Sequence, residues 1–334
     1  MESPPVTRPY FSSLRGREIF WLIFCWAVVL ICCALLYFYW DWSRSMDLIN
    51  WLQQFRSIKA VEYFFQFFTF LGNDEFYMIF FGILIWCVSK PLGFWSAAVL
   101  LISGLVSGLA KDLTALERPS LEGMEQLESY AFPSGHTLTA VTVWGYLAIR
   151  LKRRWFWIWA LAAMILIPFS RIILGFHYPG DILGGYAMGI PLLLLLVWLS
   201  SLFVEKGWDR KFSKPLLLAL CVAIPVILTV LSPQGDMPKL MGLLSGASAG
   251  YIVEKDKVRS DTRTHWALQV LKAVIGLAVL FGILIGLGPL LSSGNPALQA
   301  ALRFLRYGLG GIWVTLLAPA LFVALRLTPR EAGD

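Results

Sequence analysis

Charged side chains are scarce in this chain: Asp, Glu, Lys and Arg make up 15% of 334 residues, where soluble domains carry roughly a quarter. With hydrophobic residues at 58% and a mean hydropathy of +0.69, too little polar material is present to cover a water-exposed surface. Histidine is rarer still, with three residues: His136, His177 and His265. The five cysteines (Cys25, Cys32, Cys33, Cys87 and Cys221) all lie in apolar runs, without metal-type pairing. They read as small core or lipid-facing residues. Neither a metal nor a cofactor is expected. The start of the chain does not have the form of a short cleavable signal peptide. Residues 1–17 are polar and basic, and the apolar run that follows is long enough to span a bilayer and stay.

What is abundant is long apolar runs. Windows of about 20 residues mark clear spans at 19–39, 94–110, 155–174, 182–203, 215–231, 268–290 and 308–325, with shorter ones at 76–88, 137–149 and 237–252. The expectation is an all-α polytopic membrane protein of about ten spans. The segment 61–71 is apolar, aromatic and short. It reads either as an interfacial or re-entrant helix or as the first half of the second span.

Basic clusters set the expected orientation. Arg8, Arg15 and Arg17 precede the first span, and Lys152, Arg153 and Arg154 separate the fourth and fifth. Lys206, Arg210, Lys211 and Lys214 follow the sixth, and Lys255, Lys257, Arg259 and Arg263 follow the eighth. Ten spans put all of these on one face with both termini, the cytoplasmic face by the positive-inside rule. Arg44, Arg56, Lys59, Arg303 and Arg306 oppose the pattern. The net charge of +7 then anchors the chain to anionic lipid, and nucleic acid is not an expected partner.

Against that background three polar stretches stand out: Lys111 with Arg118-Pro119, Pro133-Ser134-Gly135-His136, and Ser170-Arg171 with His177 and Asp181. Charged groups near lipid are costly and tend to be functional. The ten-span topology puts all three stretches on the face opposite the basic clusters, so the site is expected outside the cytoplasm. A phosphate ester presents charged, acceptor-only oxygens. Arg118 and Arg171 can grip such oxygens bidentately, and Lys111 adds a point charge. Pro-Ser-Gly suits a helix start, where free backbone N–H groups attract an anion. His177 and Asp181 are four apart, so one can orient the other as a nucleophile, while His136 is free to act as general acid.

These stretches resemble the three-part signature of the type 2 phosphatidic acid phosphatase (PAP2) superfamily, K-x6-RP, PSGH and SR-x5-H-x3-D, with every position filled in order between Lys111 and Asp181. The resemblance implies a six-helix catalytic core over about 19–203. It implies His177 as a nucleophile forming a phosphohistidine, Asp181 as its supporting carboxylate and His136 as the acid. Lys111, Arg118, Ser134, Gly135 and Arg171 match the phosphate binders, and such members use no metal. The run Leu71-Gly72-Asn73-Asp74-Glu75-Phe76-Tyr77 resembles the sphingoid-base phosphate phosphatases, which commonly carry Thr where Gly135 stands.

The domain organisation expected is a cytoplasmic tail over 1–18, the core over 19–204, a basic linker over 205–214 and a C-terminal membrane block over 215–334. That block could pack beside the core, build a homodimer interface or shape lateral access for lipid tails. Gly104/Gly108, Gly185/Gly189 and Gly242/Gly246/Gly250 recur every four residues, a spacing that lets membrane helices approach closely. Glu117, Glu122, Glu125 and Glu128 make the loop before Pro133 acidic, either a solvated lid or a feature that disfavours polyanionic head groups. The function expected is hydrolysis of a lipid phosphate or diphosphate: isoprenyl diphosphate, phosphatidate or a sphingoid-base phosphate. The setting would be a prokaryotic inner membrane, or the endoplasmic reticulum in a eukaryote. Alternatives are a glucose-6-phosphatase-like hydrolase of a soluble ester, a lipid phosphotransferase and a lipid transporter.

Overall fold

In the computed structural model, residues 16–120, 129–204, 206–207 and 211–331 are described. Arg8 and Arg15 of the basic tail, Glu122, Glu125 and Glu128 of the acidic loop, and Arg210 of the linker lie outside the described residues. Among the described residues the chain is all-helical, its one β-type pairing an isolated bridge between Ser260 and Arg330. Seven helices among the described residues are long and apolar enough to cross a membrane, or eight with the bent pair 59–70 and 74–88 taken as one span. The expected count of ten is therefore not reached by length. The short ones, Gly135–Leu151 and Met237–Val253, have 17 residues each. At about 1.5 Å per residue they are near 25 Å long, below a hydrocarbon core of about 30 Å. The bent pair meets at 55°, and its first half is the aromatic segment near 61–71.

Backbone packing divides the chain into two compact units, Met1–Asn73 with Val106–Lys211 and Asp74–Leu105 with Phe212–Asp334. Residues 74–105 thus group with the C-terminal helices, and no single cut near 205–214 separates the units.

In the first unit the helices are α1 (Gly16–Phe38), α2 (Trp40–Ser43), α3 (Met46–Arg56), α4 (Lys59–Phe70), the end of α6 (Lys90–Thr114), α7 (Gly135–Leu151), α8 (Arg154–Ile173) and α9 (Pro179–Val204). Helix α7 is the core, buried along Thr137–Val143 and packed against both α8 and α9. A methyl group at Gly185 of α9 would stand 2.6 Å from the Thr137 Cβ, so this close crossing requires a residue without a side chain. By contrast α1 exposes Phe20, Trp21, Phe24 and Trp26, a surface suited to hydrocarbon. Ile49 and Leu52 of α3 pack with Ile172, Ile173 and Ile182, pinning the short α2–α3 segment over the end of α8.

The second unit holds α5 (Asp74–Ile83), most of α6, α10 (Lys214–Leu231), α11 (Met237–Val253), α12 (Trp266–Phe281), α13 (Pro296–Ile312) and α14 (Ala318–Ala324). Helices α11 and α13 make its tightest crossing, because a Cβ at Gly242 or Gly246 would fall on the carbonyl of Phe304 or Gly308. On α6 a Cβ at Gly104 would stand 3.2 Å from Leu240, whereas one at Gly108 would meet nothing within 4 Å among the described residues, so of that pair only Gly104 marks close packing. Helix α13 starts at Pro296, well before the apolar run at 308–325. Arg303 and Arg306, which oppose the basic-cluster pattern, are therefore helical. The hydropathy signal fades where basic residues enter, but the helix continues through them. Buried Glu254 accepts from Lys90 Nζ at 3.0 Å and from Ser260 Oγ at 2.7 Å.

Candidate active site

The three polar stretches meet in the first unit where helix ends converge. Helix α8 runs to Ile173 and turns through Gly175, whose φ of +79° glycine adopts without strain. The turn returns the chain to Pro179, the first residue of α9. This places His177 in the connection and Asp181 in the first turn of α9, 1% and 0% exposed. His177 Nδ1 lies 3.2 Å from Asp181 Oδ2, which also accepts the Tyr178 backbone N–H at 2.9 Å. On the other edge of the ring, Arg118 Nη1 is 3.0 Å from Nε2. A guanidinium only donates, so Nε2 accepts. The proton therefore sits on Nδ1, where Asp181 takes it. Burial is the largest cause holding His177 well below its ordinary 6.5, followed by the charges of Arg118, Arg171 and Lys111. The imidazole is neutral at pH 7, with its lone pair fixed on Nε2.

Arg118 is placed by its own donors. Nε and Nη2 reach the Ser129 carbonyl and hydroxyl at 2.7 and 2.9 Å, and Nη1 also reaches the Phe176 carbonyl at 2.9 Å. Arg171, 5% exposed, lies over the Phe176 ring at 4.1 Å and donates from Nη1 to Thr69 Oγ1 at 2.9 Å. Its buried Nε has no hydrogen-bond partner among the described residues. An unmet buried donor costs roughly 1–3 kcal/mol, a cost that a ligand oxygen would remove.

Ser134 caps α7, its Oγ accepting the Thr137 N–H at 3.4 Å, and its own N–H bonds the Asp181 carbonyl at 2.9 Å. A side chain added at Gly135 would stand 3.8 Å from Lys111 Nζ and 3.1 Å from Ser107 Oγ. Bare backbone at Gly135 thus keeps the α7 N-terminus open toward the lysine. His136, in the first turn, bonds through Nε2 to Asn73 Oδ1 at 3.1 Å. All eight residues singled out from the sequence thus lie in one unit, linked by these contacts and by the Lys111–Gly135 approach. Among the described residues no three His, Cys, Asp or Glu side chains are grouped as metal ligands.

Three contributors were not legible as site residues. Arg44 donates to Asp181 Oδ1 from Nη1 and to the Glu117 carbonyl from Nη2 at 2.8 Å, with its guanidinium 4.6 Å from the Tyr178 ring centroid. Ser43, next to it, packs so closely on Gly180 that a Cβ there would stand 2.7 Å from its Oγ. In the sequence Arg44 reads only as an exception to the positive-inside pattern, 137 residues from Asp181. Thr69 and Asn73 fall in an aromatic segment whose polar residues have no spacing relation to the three stretches. The signal available was a Gly-Asn pair interrupting an apolar run.

The fold and site define an integral membrane protein, all-helical among the described residues, with a cationic centre around a neutral buried histidine. Comparison with known proteins is consistent with this class. Residues 92–205 match the model of the PAP2 superfamily, and residues 238–330 match that of the PAP2 superfamily phosphatase transmembrane extension. Together these matches take in more than half of the chain, and the protein belongs to the PAP2 superfamily. It is 24% identical over 301 residues to sphingosine-1-phosphate phosphatase 1 of Mus musculus, covering 76% of this chain and 70% of that one. It is 28% identical over 119 residues to phosphatidylglycerophosphatase B of Bacillus subtilis, covering 33% and 54%. Against several curated relatives the chain spans about half of their length. A solved structure of a transmembrane PAP2-type phosphatidylglycerolphosphate phosphatase from Bacillus subtilis covers 57% of this chain and 96% of its own, with 22% identity and a TM-score of 0.44.

Proposed function

We propose that this protein is a membrane lipid phosphate phosphatase that works through a phosphohistidine at His177. The observation that carries the reading is the tautomer of His177. Asp181 takes Nδ1–H, and Nε2 presents a lone pair beside Arg118. A phosphate entering this centre takes over the Arg118 donors and meets the unpaired Nε of Arg171, Lys111 and the N–H groups at the start of α7. That exchange frees Nε2 to attack phosphorus in line. The N–P bond forms as the P–O bond to the leaving group breaks, and His136 as imidazolium gives its proton to the departing oxygen. The ring becomes cationic, stabilised by Asp181. Water then attacks phosphorus and breaks the N–P bond, while His136 recovers a proton from that water.

The site is read on the extracytoplasmic face. Lys152, Arg153 and Arg154 lie past the far end of α7 from Ser134, about 25 Å along 17 residues. The positive-inside rule assigns that trio to the cytoplasm. Exposed aromatic and aliphatic faces on α1 and α4 (Phe20, Trp21, Tyr63, Phe67) favour a substrate delivered from the bilayer. The names of the relatives, which include sphingosine phosphate and undecaprenyl diphosphate phosphatases, point to a phosphorylated lipid. The test is phosphate release in detergent from sphingoid-base phosphate, phosphatidate, isoprenyl diphosphate and glucose 6-phosphate. Turnover of a lipid with little on the sugar is expected. Turnover of the sugar alone would replace the lipid reading, and lipid movement between vesicle leaflets without cleavage would end the enzyme reading.

A further inference from the structure

The end of α4 and the loop that joins it to α5, with Leu71, Gly72 and Asn73, are fastened beside the site at four residues. Thr69 Oγ1 accepts from Ser170 Oγ at 3.0 Å and from Arg171 Nη1 at 2.9 Å. Leu71 packs against the cluster of Ala140, Ala163 and Ile167. Asn73 Oδ1 lies 3.1 Å from His136 Nε2. Gly72 lies close against the same ring, where a Cβ would stand 2.5 Å from the His136 Cδ2 and 3.4 Å from its Cγ.

This geometry limits what the ring can do. An amide oxygen only accepts, so Nε2 must carry a proton and donate it to Asn73. The Cδ2 and Nε2 edge is therefore held against the loop, and Nδ1, on the opposite edge, is left as the nitrogen that gains and loses a proton. We infer that Asn73 is a positioning residue for proton delivery: it fixes Nε2–H of His136, turns Nδ1 toward the leaving oxygen, and supports the imidazolium that has to form there. Gly72 provides the space for that orientation. The inference rests on the phosphatase reading above, with His136 as its acid, and adds a residue outside the three polar stretches.

The consequence is selective. A poor leaving group, such as an alkoxide, needs the proton; a nitrophenolate departs without it. Two substrates with the same chain therefore separate proton delivery from folding and binding: a long-chain alkyl phosphate, and a nitrophenyl phosphate carrying that chain on its ring. The measurement is kcat/KM on both, which reports P–O cleavage. A general acid supplies about 10²–10⁴-fold, so Asn73→Ala is expected to lower the alkyl value by about 10–100-fold, with a loss at least about tenfold smaller on the aryl ester. Asn73→Asp keeps an acceptor at the same place. It is expected to restore most of the alkyl activity and move the alkaline limb of its pH profile upward, because a carboxylate favours imidazolium. Gly72→Ala, which pushes the ring while leaving Asn73 intact, is expected to show the same alkyl-selective loss.

Equal losses on the two esters in Asn73→Ala and Gly72→Ala, while His136→Ala still discriminates between them, would overturn the positioning role alone. So would an Asn73→Asp variant no better than Asn73→Ala. Wild-type protein that cleaves neither ester would overturn the phosphatase reading, and the role of Asn73 with it.

Discussion

Arg118 donates to the one lone pair that His177 has to offer, with Nη1 3.0 Å from Nε2. A guanidinium only donates, so this contact fixes the tautomer, with the proton on Nδ1 and the lone pair on Nε2. In the proposed reaction the same guanidinium binds the phosphate, so that substrate arrival and release of the nucleophile would be a single exchange. Arg118→Ala is expected to lower kcat/KM for lipid phosphate by about 10²–10³-fold, the size seen when one anion-stabilising donor is removed. Arg118→Lys should recover only part of it, because a point charge cannot reach Ser129, Phe176 and phosphate together. Kinetics on purified variants with matched thermal unfolding checks this, and full recovery by lysine would contradict it.

The environment of His177 sets a pH dependence with a definite sign. Its folded value lies well below 6.5, first through burial and then through Arg118, Arg171 and Lys111. The unfolded chain therefore takes up a proton near pH 6.5 while the folded one does not. The stability linked to this residue is present above pH 6.5 and is lost as pH falls from there toward the folded value. The protein has only three histidines, so nitrogen NMR with His177→Gln as the assignment control can follow the ring directly. A neutral ring at pH 6 is expected, with Arg118→Ala shifting its titration upward. A His177 that titrates at 6.5 or above would contradict the account.

Arg44 bears on Asp181 from outside the three polar stretches. It satisfies Oδ1 while Oδ2 serves His177 and Tyr178, and it ties the α2–α3 segment to Glu117. Without it Asp181 keeps its Oδ2 contacts but loses the partner that holds Oδ1, and a misplacement of about 1 Å can cost about 10²-fold. Arg44→Ala should therefore reduce turnover by about 10–100-fold with KM less affected, measured by phosphate release. Unchanged turnover would assign Arg44 to loop packing alone.

In the second unit, stability is concentrated where α11 crosses α13. A Cβ at Gly246 would fall on the Gly308 carbonyl, so backbone must shift. Gly246→Leu is expected to destabilise by about 1–3 kcal/mol, the usual cost of overpacking, and to lower the thermal midpoint in detergent. An unchanged midpoint would show that the crossing tolerates a side chain.

The candidate site residues stand out in the sequence because they are polar exceptions in an apolar chain, at fixed local spacings such as His177 to Asp181. Most spans were legible from apolar length alone. Helix ends were not. Lys90, Lys111 and Arg303 continue helices past the point where hydropathy declines, and α7 and α11 stop at 17 residues. The supporting contacts were the least legible. Arg44 reaches Asp181 across 137 residues, and Asn73 reaches His136 across 63. Nothing in local spacing marks such pairs; they exist only once the segments that carry Arg44 and Asn73 have packed beside α9 and α7.

The central claim, that His177 is the nucleophile, is tested most directly by trapping the covalent intermediate. Protein mixed with an excess of lipid phosphate, quenched in base to preserve the N–P bond and digested for mass spectrometry, should carry phosphate on the peptide containing His177. No label should appear in His177→Ala, whose phosphate release should fall below about 10⁻⁴ of wild type, as for loss of a nucleophile. Phosphate found on a different residue, or wild-type-like release from a folded His177→Ala protein, would contradict the account.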